Sequence, residues 1–421
     1  MRSVKLRVRY ISEDLTMLPT FHKLSAANSG NTGRNMLRSI IAASLCRLLL
    51  NTARRFAYPF APVLSRGLGV PLTAVTSLIA VNQATGLAGM FFGPLADRFG
   101  YRLMMLAAMG MLVAGMLTSG FLPYYGVVMV SLFLAGLGKN IFDPSIQAYA
   151  GARIPFERRG LIIGVLEFSW AGSTLIGVPL IGLLIDRFGW RSPFFALAAG
   201  GLIGLLALIL TIDRNHPKST NIRSAGNMWT AWHRVLRRRE AIGALGFGFF
   251  ISVANDNLFV VYGVWLVDSF SLTIVALGLG TGMIGLAELL GEVMTAALAD
   301  KIGLKFAVGG GLIASMLGYL ILPFVGMNLT GALAGLFIVF LVFEFTMVCF
   351  LSLSTELIPA QRATMMSILL AAAGLGRVIG ALIGGPVWLA GGITATAVTS
   401  ALISGLGLAF LVWGLRGWRP A

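Results

Sequence analysis

Charge is scarce in this chain, where Asp, Glu, Lys and Arg together make up 11% of 421 residues, against the roughly 25% of soluble domains. With 57% hydrophobic residues and a mean hydropathy of +0.86, that shortfall excludes a water-soluble globular domain and implies a membrane protein. Cysteine is nearly absent. Cys46 and Cys349 lie in separate apolar stretches, which excludes a disulfide framework and a Cys-based metal site. The three histidines, His22, His216 and His233, fall outside the apolar stretches, so neither a His-carboxylate metal cage nor a buried catalytic triad can be assembled within them. No G-x-x-x-x-G-K-S loop occurs, which argues against direct ATP drive. GTGMIG at 280–285 fits a dinucleotide fingerprint, but it lacks a preceding strand and lies in an apolar helix, so it reads as a packing face. These absences predict a protein that is not an enzyme and has no cofactor, with a proton or another ion as the one small species left for coupling.

What is present is apolar length. A bilayer core about 30 Å thick needs roughly 20 apolar residues per helix. Twelve stretches qualify, at 37–63, 73–95, 103–122, 125–151, 161–184, 194–212, 241–267, 273–298, 306–326, 329–355, 364–388 and 393–415. The first is interrupted by Arg47, Arg54 and Arg55. The expected fold is an all-α, multi-pass membrane protein whose partner is the lipid bilayer.

The formal charge of +16 would suit nucleic acid, yet most Lys and Arg fall in short connections, a placement that reads as an orientation signal. One side collects Arg98, Arg102, Arg153, Arg158, Arg159, a basic run in 213–240, Lys301, Lys305, Arg362 and both termini; the other shows Arg66, Arg187 and Arg191. Both termini are therefore expected in the cytoplasm, and no nucleic-acid partner is expected. Residues 1–36 read as a basic cytoplasmic tail with no apolar core of signal-peptide length. Residues 213–240 read as a cytoplasmic linker, or as a segment that binds anionic lipid. That linker divides the spans six and six, giving bundles at 37–212 and 241–415 and a short tail at 416–421.

The halves repeat. GPLADRFGYR follows the second span and AALADKIGLK follows the eighth, so Asp97 and Asp300 are each followed by a basic residue and then by Gly100 or Gly303. Two copies at matching places indicate a duplicated six-helix unit. The first copy resembles the signature loop of the major facilitator superfamily, G-x-L-x-D-R-x-G-R-K, at Gly93, Leu95, Asp97, Arg98, Gly100 and Arg102, with Tyr101 in place of a basic residue. The resemblance runs from about residue 37 to 415. It implies two six-helix bundles that rock about a midplane site, with this loop as a conformational latch built from Gly93, Asp97, Arg98, Gly100, Arg102, Asp300 and Gly303. Asp97 would face the positive end of a helix in the other half, and Gly100 would permit the tight turn.

RFAYPFAPVLSRGLGV (55–70), LEFSWAGSTLIGVPLIG (166–182) and ELIPAQRATMMS (356–367) are similar to the drug:proton antiporter 1 branch of that family, among sugar- and drug-efflux relatives. GSTLIGVPLIG is similar to the Gly-Pro motif of the fifth helix in antiporters, with Val178 intervening and Pro179 placed to kink the helix. The branch implies a monomer in a bacterial inner membrane that exports a small organic molecule in exchange for protons. The alternative is uptake of a small organic anion by symport or facilitated diffusion.

Charges within the spans supply the candidate site, since each is expensive in lipid. Arg47, Asn51, Arg54 and Tyr58 recur at spacings of four, three and four on one predicted helical face, and Lys139, Asp143 and Gln147 recur every four residues. Lys139 and Asp143 either neutralise one another or face the transport path. The resemblance implies that the first, fourth, seventh and tenth helices line the cavity, which makes Arg54, Asp143, Asp256 and Glu344 candidates for substrate contact; Asn51, Arg55, Tyr58 and Lys139 beside them, and Arg377 in the eleventh stretch, complete the candidate set. A buried carboxylate can exchange a proton near neutral pH, so Glu167, Asp256, Glu288 and Glu344 are the candidates for proton coupling. Adjacent Arg54 and Arg55 would hold an anionic substrate group, or would pair with an acidic helix.

Overall fold

The computed structural model describes residues 32–153, 168–212, 228–358 and 362–418. All the secondary structure among them is helical. Glu167 lies outside the described residues, as do the side chains of Asp97 and Asp300 and the surroundings of Gly93.

Among the described residues, ten helices are long and apolar enough to cross a membrane, or eleven when a pair bent by 114° counts as one. The second member of that pair, Leu72–Ala84, runs through a turn at Thr85–Ala88 into Gly89–Phe99 and supplies the second span. The helix Arg362–Gly414 is two spans joined at Gly391 and Gly392, whose backbone is not helical. Twelve spans result, as the apolar lengths predict.

Two spans depart from the expected continuous helices. The first ends at Arg55 and resumes at Ala61–Leu68 after a turn. Pro59 and Pro62 account for this, because a proline lacks the N–H of the helix ladder and disfavours helical backbone in the residue before it. The seventh breaks between Phe259 and Tyr262, the matching place in the second half. The two breaks touch: any side chain on Gly263 would strike the backbone of Pro59.

Within the first half, span 3 (Tyr101–Phe121) packs on span 4 (Tyr125–Arg153) and span 6 (Ser192–Thr211). In the second half, span 10 (Leu329–Leu357) packs on span 8 (Ile274–Ile302) and span 9 (Leu304–Val325). The halves meet where span 2 lies on span 11 and where span 5, Phe168–Phe188, lies on span 8. GTGMIG belongs to the second of these contacts. A methyl group on Gly282 would lie 3.3 Å from Pro179, and one on Gly285 would lie 2.9 Å from the Leu175 Cα. The fingerprint is a packing face, as its position in an apolar helix predicts.

Lipid tails are as apolar as the helices, so close approach of small residues replaces hydrophobic burial as the force between spans. Gly376, Gly380 and Gly384 form such a stripe on span 11 against span 7: a methyl on Gly376 would meet Ser252 Cβ at 3.0 Å, and one on Gly380 would meet Asp256 Cβ at 2.9 Å. Gly380→Leu is expected to lower the melting temperature of the detergent-solubilised protein, by an overpacking cost of about 1–3 kcal/mol. Gly374→Ala, whose methyl would sit 4.0 Å from Leu87, is expected to leave it unchanged.

The repeated loops turn as their sequence requires. Gly100 has φ 92° and Gly303 φ 84°, a region open to glycine and strained for other residues. A further copy escaped the reading of the loops: LIDRFGWR at 184–191 matches LADRFGYR at 95–102 in six of eight positions. Its Gly189 has φ 83°. The unit that repeats is therefore visible at three helices as well as six, with the copies after spans 2 and 5 on opposite faces of the bundle.

Candidate functional site

The polar residues of the spans converge at mid-depth, where spans 1, 2, 4, 5, 7, 8, 10 and 11 adjoin. Arg55, the last helical residue of span 1, forms a bidentate ion pair with Glu288 of span 8, one Nη1–Oε2 bond measuring 2.9 Å, with side chains 7% and 5% exposed. The same guanidinium donates to Thr174 and lies 4.0 Å over the Trp170 ring. Thr174 sits in a widened π-turn at Ser173–Gly177, the kind of insertion that frequently marks a functional position. Pro179 is the second residue of the helical segment Val178–Phe188, and the widened turn lies just before it, where the N–H that proline lacks would have bonded.

Arg54 takes a different course. It donates to Gln83 of span 2, Gln83 donates to the Tyr58 hydroxyl, and Tyr58 donates to Asp256 Oδ1 at 2.8 Å. Arg54 is 7% exposed and its Nε has no hydrogen-bond partner among the described residues. Of the two readings of the adjacent arginines, Arg55 takes the pairing with an acidic helix, while Arg54 takes a neutral partner. Neighbours on a helix point about 100° apart, so Arg55 crosses to the second half while Arg54 stays against span 2. Tyr58 likewise belongs to the turn at 56–60 and not to a helical face, though it reaches the same centre.

Lys139 and Asp143 do pair within span 4, at 2.5 Å, and Arg47 joins from span 1 at 2.9 Å to Asp143. Asn51 donates to the Ser169 carbonyl. On span 10, Glu344 is half-buried and makes no hydrogen bond or ion pair among the described residues; Glu288, Glu292, Arg55 and Arg377 are the charges it feels. Arg377, half-buried on span 11, also makes none, and its charge is felt by Arg54 and Asp256. No cluster of His, Cys, Asp and Glu among the described residues could hold a metal ion.

Exposure along the inner helices defines a cleft. On span 4 it rises from buried Lys139 through half-buried Asp143 to exposed Gln147, and on span 10 from buried Phe340 through Glu344 to exposed Ser352. Both gradients open toward the face that carries the Gly100 and Gly303 turns. The opposite end is closed by Tyr58, Phe259, Tyr262 and Phe340, all buried, with Tyr58 and Phe259 at 4.5 Å and Phe259 and Tyr262 stacked at 5.3 Å. Gln83, Thr174, Phe259, Tyr262 and Phe340 escaped the sequence reading, which had named Tyr58 alone of the four aromatics. Gln83 was within its reach, as a polar residue inside an apolar span.

Residues 43–260 match the profile of the Major Facilitator Superfamily. The chain is 26% identical over 294 residues to an MFS-type transporter of Bacillus subtilis, YceJ, covering 70% of this chain and 74% of that one. It is 26% identical over 302 residues to a multi-drug resistance efflux pump PmrA homolog of Lactococcus lactis, covering 69% and 73%. With the multidrug resistance protein MdtG of Citrobacter koseri it shares 29% over 224 residues, half of each chain. A bacterial homolog of the human lysosomal transporter Spinster, solved inward-facing and unoccupied, superposes with a TM-score of 0.76 at 14% identity, covering 94% of this chain and 100% of that one.

Proposed function

The chain belongs to the Major Facilitator Superfamily and is a membrane-embedded transporter of a small molecule; from that premise we propose that it exports a small organic molecule in exchange for protons. The observation that carries this reading is Glu344, a carboxylate in the cleft without an ion partner among the described residues. Such a group can take and release a proton without breaking a salt bridge. Asp256, held by the neutral Tyr58, is a second acceptor of the same kind. Relatives named as multidrug efflux proteins support the outward direction.

In this reading the cleft opens to the cytoplasm, since the Lys and Arg of the connections favour that side for the Gly100 and Gly303 turns. The tail at 1–36, the linker at 213–240 and the tail at 416–421 are cytoplasmic, the membrane is a bacterial inner membrane, and the protein acts as a monomer. The bundles at 37–212 and 241–415 would rock about the Arg55–Glu288 level, which alternately exposes the centre to either side. Asp97 and Asp300 would latch the cytoplasmic ends when these close.

The test is transport by purified protein in liposomes of a substrate such as a fluorescent dye that it accumulates. An inside-acid gradient, in vesicles whose protein faces cytoplasmic side out, is expected to drive the dye inward against its own gradient. Equal uptake with the proton gradient collapsed would overturn proton exchange, and accumulation only with the gradient reversed would favour symport.

A further inference from the structure

The pairing pattern leaves one combination of charges unanswered. Arg54 is buried with Gln83, a neutral amide, as its hydrogen-bond partner, and its Nε is unpartnered among the described residues. A buried guanidinium without a carboxylate carries a desolvation cost that its surroundings do not offset. Three carboxylates of the centre are engaged: Asp143 lies between Arg47 and Lys139, Glu288 holds Arg55, and Asp256 accepts from Tyr58; Glu344, without an ion partner among the described residues, acts on Arg55 and Arg377 and is not among the charges that Arg54 feels.

The packing of span 11 brings a second cation to the same level. A methyl on Gly385 would meet Thr76 at 3.2 Å, and one on Gly374 would meet Leu87 at 4.0 Å. Those contacts are eleven residues apart on each helix, so the two spans run antiparallel in register. Arg377, three residues beyond Gly374, therefore stands level with Ala84, beside the Gln83 that Arg54 holds. Its neighbours Gly376 and Gly380 fix the same height against Ser252 and Asp256 of span 7. Arg377 makes no hydrogen bond or ion pair among the described residues and is only half-buried.

Two guanidiniums from opposite halves thus share one level; Asp256 acts on both and Glu344 on Arg377, yet neither guanidinium forms an ion pair among the described residues. Like charges at close range oppose each other unless an anion stands between them. We propose that Arg54 and Arg377 form an anion clamp, and that the transported molecule carries a carboxylate, phosphonate or phosphate monoester group held by both. Guanidinium geometry suits such oxyanions through paired, charge-assisted hydrogen bonds. An anion bridging spans 1 and 11 also draws the two halves together at the cleft, which gives ligand binding a differential contact between open and closed states. The anion site expected at Arg54 and Arg55 is in this way relocated, because Arg55 is committed to Glu288.

The inference rests on the proposed transport reading for its biological sense, but its test does not involve transport. Detergent-purified protein is titrated with benzoate, phenylphosphonate, benzamide and benzylamine at fixed ionic strength, and thermal stability is followed. Benzoate and phenylphosphonate are expected to raise the melting temperature saturably, while benzamide and benzylamine are not. Arg377→Gln is expected to shift the half-saturating benzoate concentration upward about ten- to a hundredfold, the loss of one hydrogen bond to a charged group, with Arg377→Lys intermediate. Arg54→Gln is expected to do the same; if it does not fold, the exposed-side variant Arg377→Gln carries the decision. Equal stabilisation by benzamide, or an Arg377→Gln protein that binds benzoate as the parent does, would overturn the clamp. Anion binding without gradient-driven transport would leave the clamp standing and remove proton exchange.

Discussion

Arg55→Met is expected to destabilise the protein by about 3–5 kcal/mol, as is Glu288→Leu, while the double variant returns most of the way to the parent. Each single change strands a charge inside the membrane. Arg55 and Glu288 have side chains 7% and 5% exposed, so water cannot reach either to replace the missing partner. Thr174 would recover little, since one hydroxyl that already bonds both groups cannot neutralise a full charge. Replacing both members by apolar groups removes the stranded charge along with the ion pair, which is why the double variant is the informative one. Thermal unfolding in one detergent at one pH measures all three. Two single variants that melt with the parent would show that the pair is not what holds spans 1 and 8 together.

The same three proteins bear on function. The pair joins the first half to the second beside the closed aromatic end, so opening that end requires Arg55 and Glu288 to separate or to travel together. A double variant that is stable but does not transport would mean that the pair acts in the conformational cycle as well as in the fold. Restored stability together with restored transport would make it purely a packing element.

Glu344→Gln is expected to reduce gradient-driven uptake in liposomes to the level of protein-free vesicles while leaving exchange of labelled for unlabelled substrate intact. Glutamine keeps the shape and loses the proton site, so the binding centre survives and only its link to the proton gradient is cut. Glu344 is the apt position because it forms no ion pair among the described residues and stands near Glu288, Glu292, Arg55 and Arg377. A change in its protonation is thus felt on both sides of the pair that bridges the halves. Asp256→Asn is the comparison. It alters the end of the Arg54–Gln83–Tyr58–Asp256 chain, so it should weaken substrate binding as well as drive. If Asp256→Asn abolishes drive and Glu344→Gln does not, the coupling carboxylate lies on span 7.

Much of this molecule was legible in the order of its residues. Apolar length set against bilayer thickness gives twelve spans, and the two copies of the Asp-basic-x-Gly loop give the duplication, because both are local properties that hold whatever the helices pack against. Gly100 and Gly303 were readable as turns for the same reason, and the intramembrane charges were readable as a site because lipid makes each of them costly. Lys139 with Asp143 was readable as a pair, since one turn of a single helix fixes their distance. What the tertiary structure alone decided is partnership between helices. Hydropathy does not encode how a helix is rotated about its axis or where it crosses its neighbour, so nothing in the residue order assigned Arg55 to Glu288, left Arg54 on Gln83, or set Arg377 at the height of both. Small-residue contacts along spans 5 with 8 and 7 with 11 fix those rotations, and the charges follow from them.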